Sequence, residues 1–338
     1  MTRHSPRFPQ KRKGMAISQP AFVMLVLFLG LLLPEQTRAQ SPSEARLLPA
    51  DFVNNRIHVT PVTESGDSLR LTTDTGGGRF PLLLQPAANR LDLPRDTITL
   101  RGRSMPAAPF PEFRSNASVP SPQNQEQFLV LPNQGMAKHL DADGQLGQSW
   151  FAGRVWTFDY GAERLLLHNS TESLSFDSEH TIQLAFRTDS TGAHLSHHAR
   201  IEATIADTTH SFLFDTGATL LLSDNAQRVL DSPGKRGGNF VIASVFDRWR
   251  TEHPDWSVVK NVSGPRGNRP IIQVPSVTIA GHTVGPVWFE RQPDRAFHKD
   301  GKLSIDQSVE GALGGSLFQY FRMTVDYPGE RAYFERLD

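Results

Sequence analysis

A long internal duplication constrains this chain more than any other feature. The segment DGQLGQSWFAGRVWTFDYGAERLLLHN, residues 143–169, aligns without a gap with EGALGGSLFQYFRMTVDYPGERAYFER, residues 310–336. A Leu-Gly pair recurs at Leu146-Gly147 and Leu313-Gly314, and an Asp-Tyr pair recurs near the end of both segments. Agreement over this length predicts two copies of one folding unit, because coincidence explains it poorly.

The duplication extends toward the N-terminus. Residues 56–91, RIHVTPVTESGDSLRLTTDTGGGRFPLLLQPAANRL, parallel residues 200–230, RIEATIADTTHSFLFDTGATLLLSDNAQRVL. Both copies also carry an alternating strand, a Gly turn and a returning strand, at TITLRGRSM (97–105) and SVTIAGHTV (276–284), which predicts a β-hairpin in each. The triplets Asp74-Thr75-Gly76 and Asp215-Thr216-Gly217 therefore occupy equivalent places in the two copies.

Residue patterns within each copy predict a mainly β fold. Short runs of Val, Ile, Thr, Leu and Phe alternate with Gly, Pro, Asn and Asp turns, and only LLQPAANRL and LLSDNAQRVL look helical. Each copy is expected to form a β-barrel-like lobe with one short helix. We predict an N-terminal lobe over 40–170, a polar linker over 171–177 and a C-terminal lobe over 178–338.

The first residues are typical of a secretory signal peptide. A basic stretch with Arg7, Lys11, Arg12 and Lys13 precedes the apolar run AFVMLVLFLGLLL, and TRAQ then offers small residues suited to cleavage after Ala39. An uncleaved anchor is the alternative, although the run falls short of the roughly 20 residues that a spanning helix needs. The sequence thus predicts a signal peptide over 1–39, with any membrane association through an uncleaved signal.

Composition narrows the classes of partner and chemistry. The 35 Lys and Arg balance the 35 Asp and Glu, which argues against nucleic acid as a partner, since such binding rests on clustered positive charge. The cysteine count is zero, so disulfides and thiol chemistry are excluded. An exported chain without cysteine fits a bacterial periplasm or the cell exterior.

An acidic residue interrupts the most apolar strand of the second copy. The stretch SFLFDTGATLLLSD, residues 211–224, places Asp215 inside a run that is expected to be buried. A buried carboxylate is costly unless something compensates it, so Asp215 needs a partner or a purpose. The duplication supplies a candidate partner in Asp74.

These motifs resemble those of the aspartic peptidases. The family pattern consists of apolar residues, then Asp-Thr-Gly, and later a Leu-Gly segment. The second copy has it as FLFDTGAT followed by GALGGSLF. The first copy has it, with departures, as LTTDTGGG followed by GQLGQSWF. The arrangement is similar to the two-lobed pepsin-like enzymes, while the local motifs are closer to the retropepsin type of the bacterial aspartyl proteases. The resemblance implies a bilobal acid-protease fold and covers nearly all of the chain after the signal.

The resemblance also implies roles for the repeated residues. Asp74 and Asp215 would flank a water and share one proton, so that one carboxylate activates the water and the other carboxyl group protonates the substrate oxygen. No metal or other cofactor would be needed. The supporting residues would bond across the lobe junction, permit tight turns or pack behind the two loops: Thr75, Gly76, Thr216, Gly217, Ala218, Leu146, Gly147, Leu313 and Gly314.

The first copy departs from the family pattern. Thr73 stands where an apolar residue is usual, and Gly77 stands where Ala, Ser or Thr is usual. Neither Gly77 nor Ala218 supplies a hydroxyl beside the dyad, so we expect a milder acidic optimum than that of pepsins. The first-lobe hairpin carries no Tyr, which leaves two candidates for the flap over the substrate, LRGRSM and IAGHTV.

Other features are weaker signals. Arg103 and His282 at the two Gly turns are candidates for substrate contact, although hairpin tips usually carry polar residues. The histidines of HLSHH, residues 194–198, suggest a metal site, but no acidic or cysteine set completes it and a solvated turn is the expectation. Residues 231–270 are an insertion relative to the first lobe, expected to form a surface loop with a short helix.

The sequence therefore predicts an exported aspartic endopeptidase that acts as a monomer on peptide or protein substrates. Two alternatives stay open. One is an inactive bilobal peptide-binding protein of the cell envelope, and the other is a structural envelope protein without a peptide groove. Both triplets and both Leu-Gly pairs favour the enzyme, whereas Thr73 and the missing flap Tyr favour the alternatives.

Overall fold

Strands dominate the computed structural model, which describes residues 45–100, 102–123, 127–172, 174–260, 267, 269–298 and 305–338. The predicted signal peptide lies outside these residues. Within them, no helix combines the length and the hydropathy that crossing a bilayer requires. The mainly β, two-lobed fold class predicted from the sequence is confirmed.

The first half of the described chain contains eleven strands and two short α-helices. The strands are β1 Arg46–Leu47, β2 Ala50–Val53, β3 Arg56–Val59, β4 Leu71–Thr73, β5 Leu82–Leu84, β6 Asp96–Leu100, β7 Arg103–Pro109, β8 Gln127–Leu131, β9 Gly144–Leu146, β10 Val155–Asp159 and β11 Arg164–His168. The helices are α1 Gln85–Arg90 and α2 Gln148–Phe151, and 3₁₀ turns lie at Ser115–Ala117 and Gly135–His139.

The second half of the described chain continues the series. Its strands are β12 Thr181–Gln183, β13 Arg200–Ile205, β14 Thr208–Phe214, β15 Thr219–Leu221, β16 Lys235–Gly237, β17 Asn239–Ile242, β18 Val258–Val259, β19 Ile271–Val274, β20 Val277–Ile279, β21 His282–Val284, β22 Val287–Gln292, β23 Gly311–Leu313, β24 Phe321–Asp326 and β25 Arg331–Arg336. The helices are α3 Asp224–Leu230, α4 Ala243–Glu252 and α5 Gly315–Phe318, and 3₁₀ turns lie at Ser178–His180 and Asp294–Phe297.

Each copy builds a large sheet with the same central arrangement. The first has the order β2-β3-β4-β9-β5-β8-β7-β6, and the second has β18-β19-β22-β17-β23-β14-β13-β20-β21. In both, a short late strand, β9 or β23, lies parallel to the strand that precedes Asp-Thr-Gly, β4 or β14. Both orders end in edge strands, so the expected barrel-like lobes are open sheets in the part of the chain described here.

The two predicted helices are present. LLQPAANRL forms α1, where Pro86 occupies the first turn, a position in which its missing N–H costs nothing. LLSDNAQRVL forms α3, where the Ser223 side chain accepts a hydrogen bond from Ala226 N at 3.4 Å and so caps the helix. Helix α1 follows β5 directly, and α3 begins at Asp224 after β15 ends at Leu221, so both helices come after a Leu-rich strand, as the repeat predicts.

The expectation of a surface loop with a short helix over residues 231–270 is wrong in part: the short helix is present as α4, but β17 and α4 belong to the core. Residues 261–266 and 268 lie outside the described residues. Strand β17 from this segment is inserted between β22 and β23 in the middle of the second sheet. Helix α4, also in this segment, buries Val245, Phe246 and Trp249 against the core. The apolar residues of NFVIASVF, 239–246, indicate a core element. The Gly, Pro and charged residues on both sides made the segment look like a surface loop.

A third sheet contains strands from both halves of the chain, in the order β1-β11-β10-β24-β25-β12. At its centre β10 and β24 run antiparallel, and Thr157 pairs with Thr324, its own equivalent in the repeat. Val155 pairs with Asp326 and Asp159 with Arg322, so the register is symmetric about the threonines. This places a pseudo-two-fold axis between the copies; the boundaries near residues 170 and 178 stay a prediction.

Aromatic side chains fill the space beneath this axis. Phe158 contacts Phe214 edge to face with ring centroids 6.1 Å apart, and Phe214 lies 4.7 Å from Phe318. Trp150 and Trp156 are fully buried in the same cluster. Because these rings come from both copies, the core behind the two Asp-Thr-Gly loops is continuous.

We expect Thr324→Val to lower the free energy of unfolding by about 1 kcal/mol, the usual contribution of a buried hydrogen bond. Thr324 Oγ1 lies 2.7 Å from Thr157 Oγ1, and both residues are buried. The matched control is Thr283→Val, because Thr283 makes a similar hydroxyl pair with Thr278 at 2.8 Å on an exposed hairpin. Urea unfolding should find the control within about 0.5 kcal/mol of wild type; equal effects would contradict the role of the central pair.

Candidate active site

The two Asp-Thr-Gly triplets begin where equivalent strands end. Asp74 follows β4, and its backbone N–H donates to Leu146 O at 2.9 Å. Asp215 follows β14, and its backbone N–H donates to Leu313 O, also at 2.9 Å. Each aspartate is thus held by the Leu-Gly segment of its own copy.

Hydrogen bonds from the threonines join the two loops. Thr75 Oγ1 donates to Phe214 O at 2.8 Å and accepts from Thr216 N at 2.9 Å. Thr216 Oγ1 in turn accepts from Thr75 N at 3.3 Å. Both threonines are buried, so these bonds satisfy backbone groups that water does not reach.

The carboxyl groups lie directly over the glycines of the opposite loops. A Cβ atom added to Gly76 would stand 2.5 Å from Asp215 Cγ, and one added to Gly217 would stand 2.2 Å from Asp74 Cγ. Any side chain at either glycine would displace a carboxyl group. The two glycines therefore make the space in which the aspartates meet and share a hydrogen bond.

The pKa of Asp74 is raised well above its usual range. Burial is the largest cause, and the charge of Asp215 and the hydrogen bond from its carboxyl group act in the same direction. The backbone N–H groups of Gly76 and Gly77 oppose the rise, since they stabilise the ionised form. Two carboxyl groups in such contact retain a proton between them and titrate as a pair.

Glycines also allow the supporting segments to pack closely behind both loops. A Cβ atom at Gly147 would lie 2.0 Å from Gly78 O, and one at Gly314 would lie 2.5 Å from Asp215 O. Leu146 and Leu313 are fully buried, and Ala218, which is 2% exposed, packs against Gly314. Every supporting residue predicted from the sequence thus lies in or directly behind the two loops.

Thr73, which departs from the family pattern, is accommodated by a local bond. The residue is fully buried at the end of β4, and its Oγ1 donates to Ile57 O on β3 at 3.2 Å. A buried hydroxyl with a partner is tolerated where an apolar residue is usual. The substitution therefore leaves the position of Asp74 intact.

A residue that sequence reasoning missed completes the first loop. Gln145 on β9 donates from its side-chain amide to Asp74 Oδ2. A Cβ atom at Gly77 would stand 2.9 Å from this amide nitrogen, so the small residue at 77 leaves room for it. The available signal was the pairing of an unusual glycine at 77 with a polar residue just before Leu146-Gly147.

A cavity of about 350 Å³ opens beside Asp74 and Gly217. Most of its wall is apolar, contributed by Leu82, Leu84, Leu131, Ala137, Leu140 and Leu221. Polar groups from Arg56, Thr72, His139, Gln145 and Thr219 also line it. Arg56 is held by Asp141 at 2.7 Å, and that carboxylate also contacts Lys235.

The proposed substrate contacts at the hairpins lie elsewhere. Arg103 is exposed at the β6–β7 turn. His282 stacks on His180 with ring centroids 3.7 Å apart, and its Nε2 donates to Phe334 O at 3.2 Å. Neither residue lines the cavity, and the described residues of the two candidate flaps contribute nothing to its wall; the 3₁₀ turn Gly135–His139 does so instead.

The HLSHH segment is not a solvated turn throughout. Ser196 and His198 are buried, and His198 Nε2 donates to Gly77 O at 2.8 Å. Gln148 Oε1 accepts from Ser196 Oγ at 3.0 Å, which fixes this segment of the second copy against the first active-site loop. Over the described ranges, no group of His, Asp or Glu is arranged to hold a metal ion.

We expect Thr75→Val to destabilise the chain by about 2–3 kcal/mol, since it removes a buried donor and acceptor and leaves Phe214 O and Thr216 N without this partner. The matched control is Thr75→Ser, which keeps the hydroxyl and should cost about 1 kcal/mol or less for the lost methyl group. Denaturant unfolding measures both variants. Equal destabilisation would mean that the methyl group, and not the hydroxyl, holds the loops.

We expect Asp74→Asn to raise the melting temperature at neutral pH. The folded-state pKa is raised, so between the usual and the raised pKa the unfolded chain has released a proton that the folded chain retains. The free energy of unfolding therefore falls as pH rises through this window, and Asn removes that loss. The difference should shrink as the solution is acidified below the usual pKa of Asp.

Calorimetry across this range provides the measurement, with Asp189→Asn as the control. The Thr191 hydroxyl and neighbouring backbone N–H groups lower the pKa of Asp189, so its Asn variant should gain no stability at neutral pH. An Asp74→Asn variant less stable than wild type at every pH would contradict the assigned direction.

Similarity to known proteins is found among solved structures. No protein-family model matches the chain, and no curated protein matches it either. Among solved structures, the chain is similar to an aspartic proteinase from Irpex lacteus, with 12% identity and a TM-score of 0.48, over 87% of this chain and 98% of that one.

Proposed function

We propose that this chain is an aspartic endopeptidase that hydrolyses peptide bonds with a water activated between Asp74 and Asp215. The observation that carries the proposal is the contact of the two carboxyl groups at the ends of equivalent strands, over Gly76 and Gly217. A purely structural role would not need two acidic groups whose proximity raises a pKa. The contact of both groups with one another is what general acid and general base catalysis by a shared proton requires.

In the proposed reaction the singly ionised pair performs both proton transfers. The carboxylate accepts a proton from water while the water oxygen bonds to the peptide carbonyl carbon, and the carboxylic acid donates its proton to the carbonyl oxygen. The resulting diol collapses when one of its hydroxyl groups gives its proton to the carboxylate, its C–N bond breaks, and the nitrogen leaves with the proton of the carboxylic acid. The aspartates are then restored to one proton, and no covalent intermediate forms.

The cavity beside Asp74 supports an extended peptide as the substrate. Its leucine-rich wall suits one apolar side chain, and the adjoining strands suit a peptide that lies along the site as an added strand. Since both aspartates come from one chain, we propose a monomer. Export to a periplasm or the exterior and membership of the retropepsin-like bacterial aspartyl proteases complete the proposal, which requires neither a cofactor nor nucleic acid.

Substitution of either aspartate should abolish cleavage. We expect Asp74→Asn and Asp215→Asn to lower kcat/KM for peptides by at least about 10³-fold, in line with the loss of a general acid or base. A diverse peptide library incubated with the protein lacking residues 1–39, over acidic to neutral pH, measures cleavage, and a statine-type inhibitor should suppress it. Asp189→Asn, which makes the same chemical change outside the cavity wall, is the control and should cleave like wild type.

Three other outcomes would change the proposal. Equal cleavage by wild type and both Asn variants would remove the dyad from the chemistry. Saturable peptide binding without cleavage at any pH would instead support the inactive peptide-binding alternative. Activity that disappears on dilution would contradict the monomer.

A further inference from the structure

The two halves of the site differ at one position that contacts a carboxyl group. Gln145 and Ala312 are equivalent in the ungapped repeat and lie in the same register, beside Thr72 on β4 and beside Leu213 on β14. Gln145 donates to Asp74 Oδ2 and lines the cavity, whereas Ala312 is buried and has no polar side-chain atom. The two copies therefore differ at a residue that contacts the aspartate pair.

Gly77 makes the contact between Gln145 and Asp74 possible, because it has no side chain. The space over Asp74 that a side chain at 77 would enter is taken by the Gln145 amide, 2.9 Å from the added Cβ position, and by Asp74 Cγ at 3.0 Å. A donor to Asp74 is thus supplied from β9 across the sheet. Gly77 offers no hydroxyl group, and the Gln145 amide is the neutral hydrogen-bond donor to Asp74 instead.

We propose that Gln145 is a positioning residue that holds Asp74 and favours the singly ionised form of the aspartate pair. This inference rests on the proposed function and goes beyond it, since it explains how two duplicated halves acquire unequal carboxyl groups. A neutral N–H donor stabilises a carboxylate more than a carboxylic acid, so in the pair that shares one proton Gln145 favours the charge on Asp74 and the proton on Asp215. It thereby favours release of the first proton, and the raised pKa of Asp74 describes the retention of the second proton by the pair. The working form of the pair then persists to lower pH than it would without Gln145.

Other charged and titratable groups near the pair are unchanged by substitution of Gln145. Arg56 and His139 line the cavity. The buried hydroxyl of Tyr160 lies near enough to Asp215 for its pKa to be raised by that charge in addition to burial. His58, bonded to Thr72, has a pKa lowered to about 3 and stays neutral over the working range. A change in the pH profile on substitution therefore reports the lost amide.

The test compares pH profiles of kcat/KM for wild type and Gln145→Met, which keeps the length of the side chain without its N–H groups. Loss of one hydrogen bond to a charged group should move the acidic midpoint upward by roughly one pH unit. Below the wild-type midpoint, kcat/KM should fall about tenfold, while near neutral pH it should change little. Gln145→Glu adds a third carboxyl group and should move the midpoint further up.

A merely structural role would not move the midpoint, so an unshifted profile in an active Gln145→Met variant would overturn the inference and leave the proposed function intact. The control is Gln183→Met, on β12, where the amide donates to Glu330 O at 2.6 Å. Its profile should match wild type. Melting temperatures of all variants identify any that fail to fold.

A second readout keeps the inference testable if wild type cleaves nothing. Titration of the Asp side-chain carboxyl carbons by NMR gives the midpoints of the pair directly, and Gln145→Met should raise the lower one whether or not peptides are hydrolysed. No rise would overturn the inference. Failure of the proposed function would instead appear as intact peptides together with a shifted NMR midpoint.

A double variant at Gly77 and Gln145 provides an independent test of the inference. Gly77→Ser alone should lower kcat/KM, because its side chain meets the Gln145 amide. In Gly77→Ser with Gln145→Ala that contact is absent and the Ser hydroxyl can donate to Asp74, so the acidic midpoint should return toward the wild-type value. Additive losses in the double variant would contradict a shared place over Asp74.

Discussion

The hydrogen bonds from Thr75 to Phe214 O and from Thr216 N to Thr75 are the interactions on which the site depends. They join two loops from separate copies, and the loops carry the only groups proposed to react. Because the bonds are buried and involve the backbone, they fix the distance between the copies more closely than side-chain packing could. The carboxyl groups meet only as long as these bonds keep Gly76 and Gly217 in place beneath them.

The sheet that contains strands from both halves of the chain also fixes the position of one copy relative to the other. Pairing of Thr157 with its equivalent Thr324 fixes the register of β10 and β24, and the symmetric register carries over to everything attached to those strands. A slip of one residue would turn every side chain in the strand to the opposite face. It would also separate the aromatic rings of Phe158 and Phe214, on which the loop of Asp215 rests.

The sequence predicted the fold class and the equivalence of Asp74 and Asp215 because both follow from the repeat. The repeat can be found by comparing the order of residues alone, without knowing which strands are neighbours in space. It did not predict Arg56 and His139 as parts of the cavity wall, since their proximity to Asp74 arises from the folding of β3 and the 3₁₀ turn Gly135–His139. It misassigned residues 231–270 because β17 acquires its neighbours only in the sheet. His198 likewise reaches Gly77 through packing between the copies, which no spacing in the sequence indicates.

Duplication alone creates a difficulty for a proton-sharing pair, because two identical environments give neither carboxyl group a preference for the charge. Symmetry must be broken by atoms that reach one member and not its equivalent. Gln145 against Ala312 and Gly77 against Ala218 are two such differences. At Asp74 the difference takes the form of an amide that reaches the carboxyl group from a neighbouring strand, whereas Ala312, the equivalent residue of the second copy, has no polar side-chain atom. The asymmetry of the pair therefore comes from the strand beside the loop as well as from the loop itself.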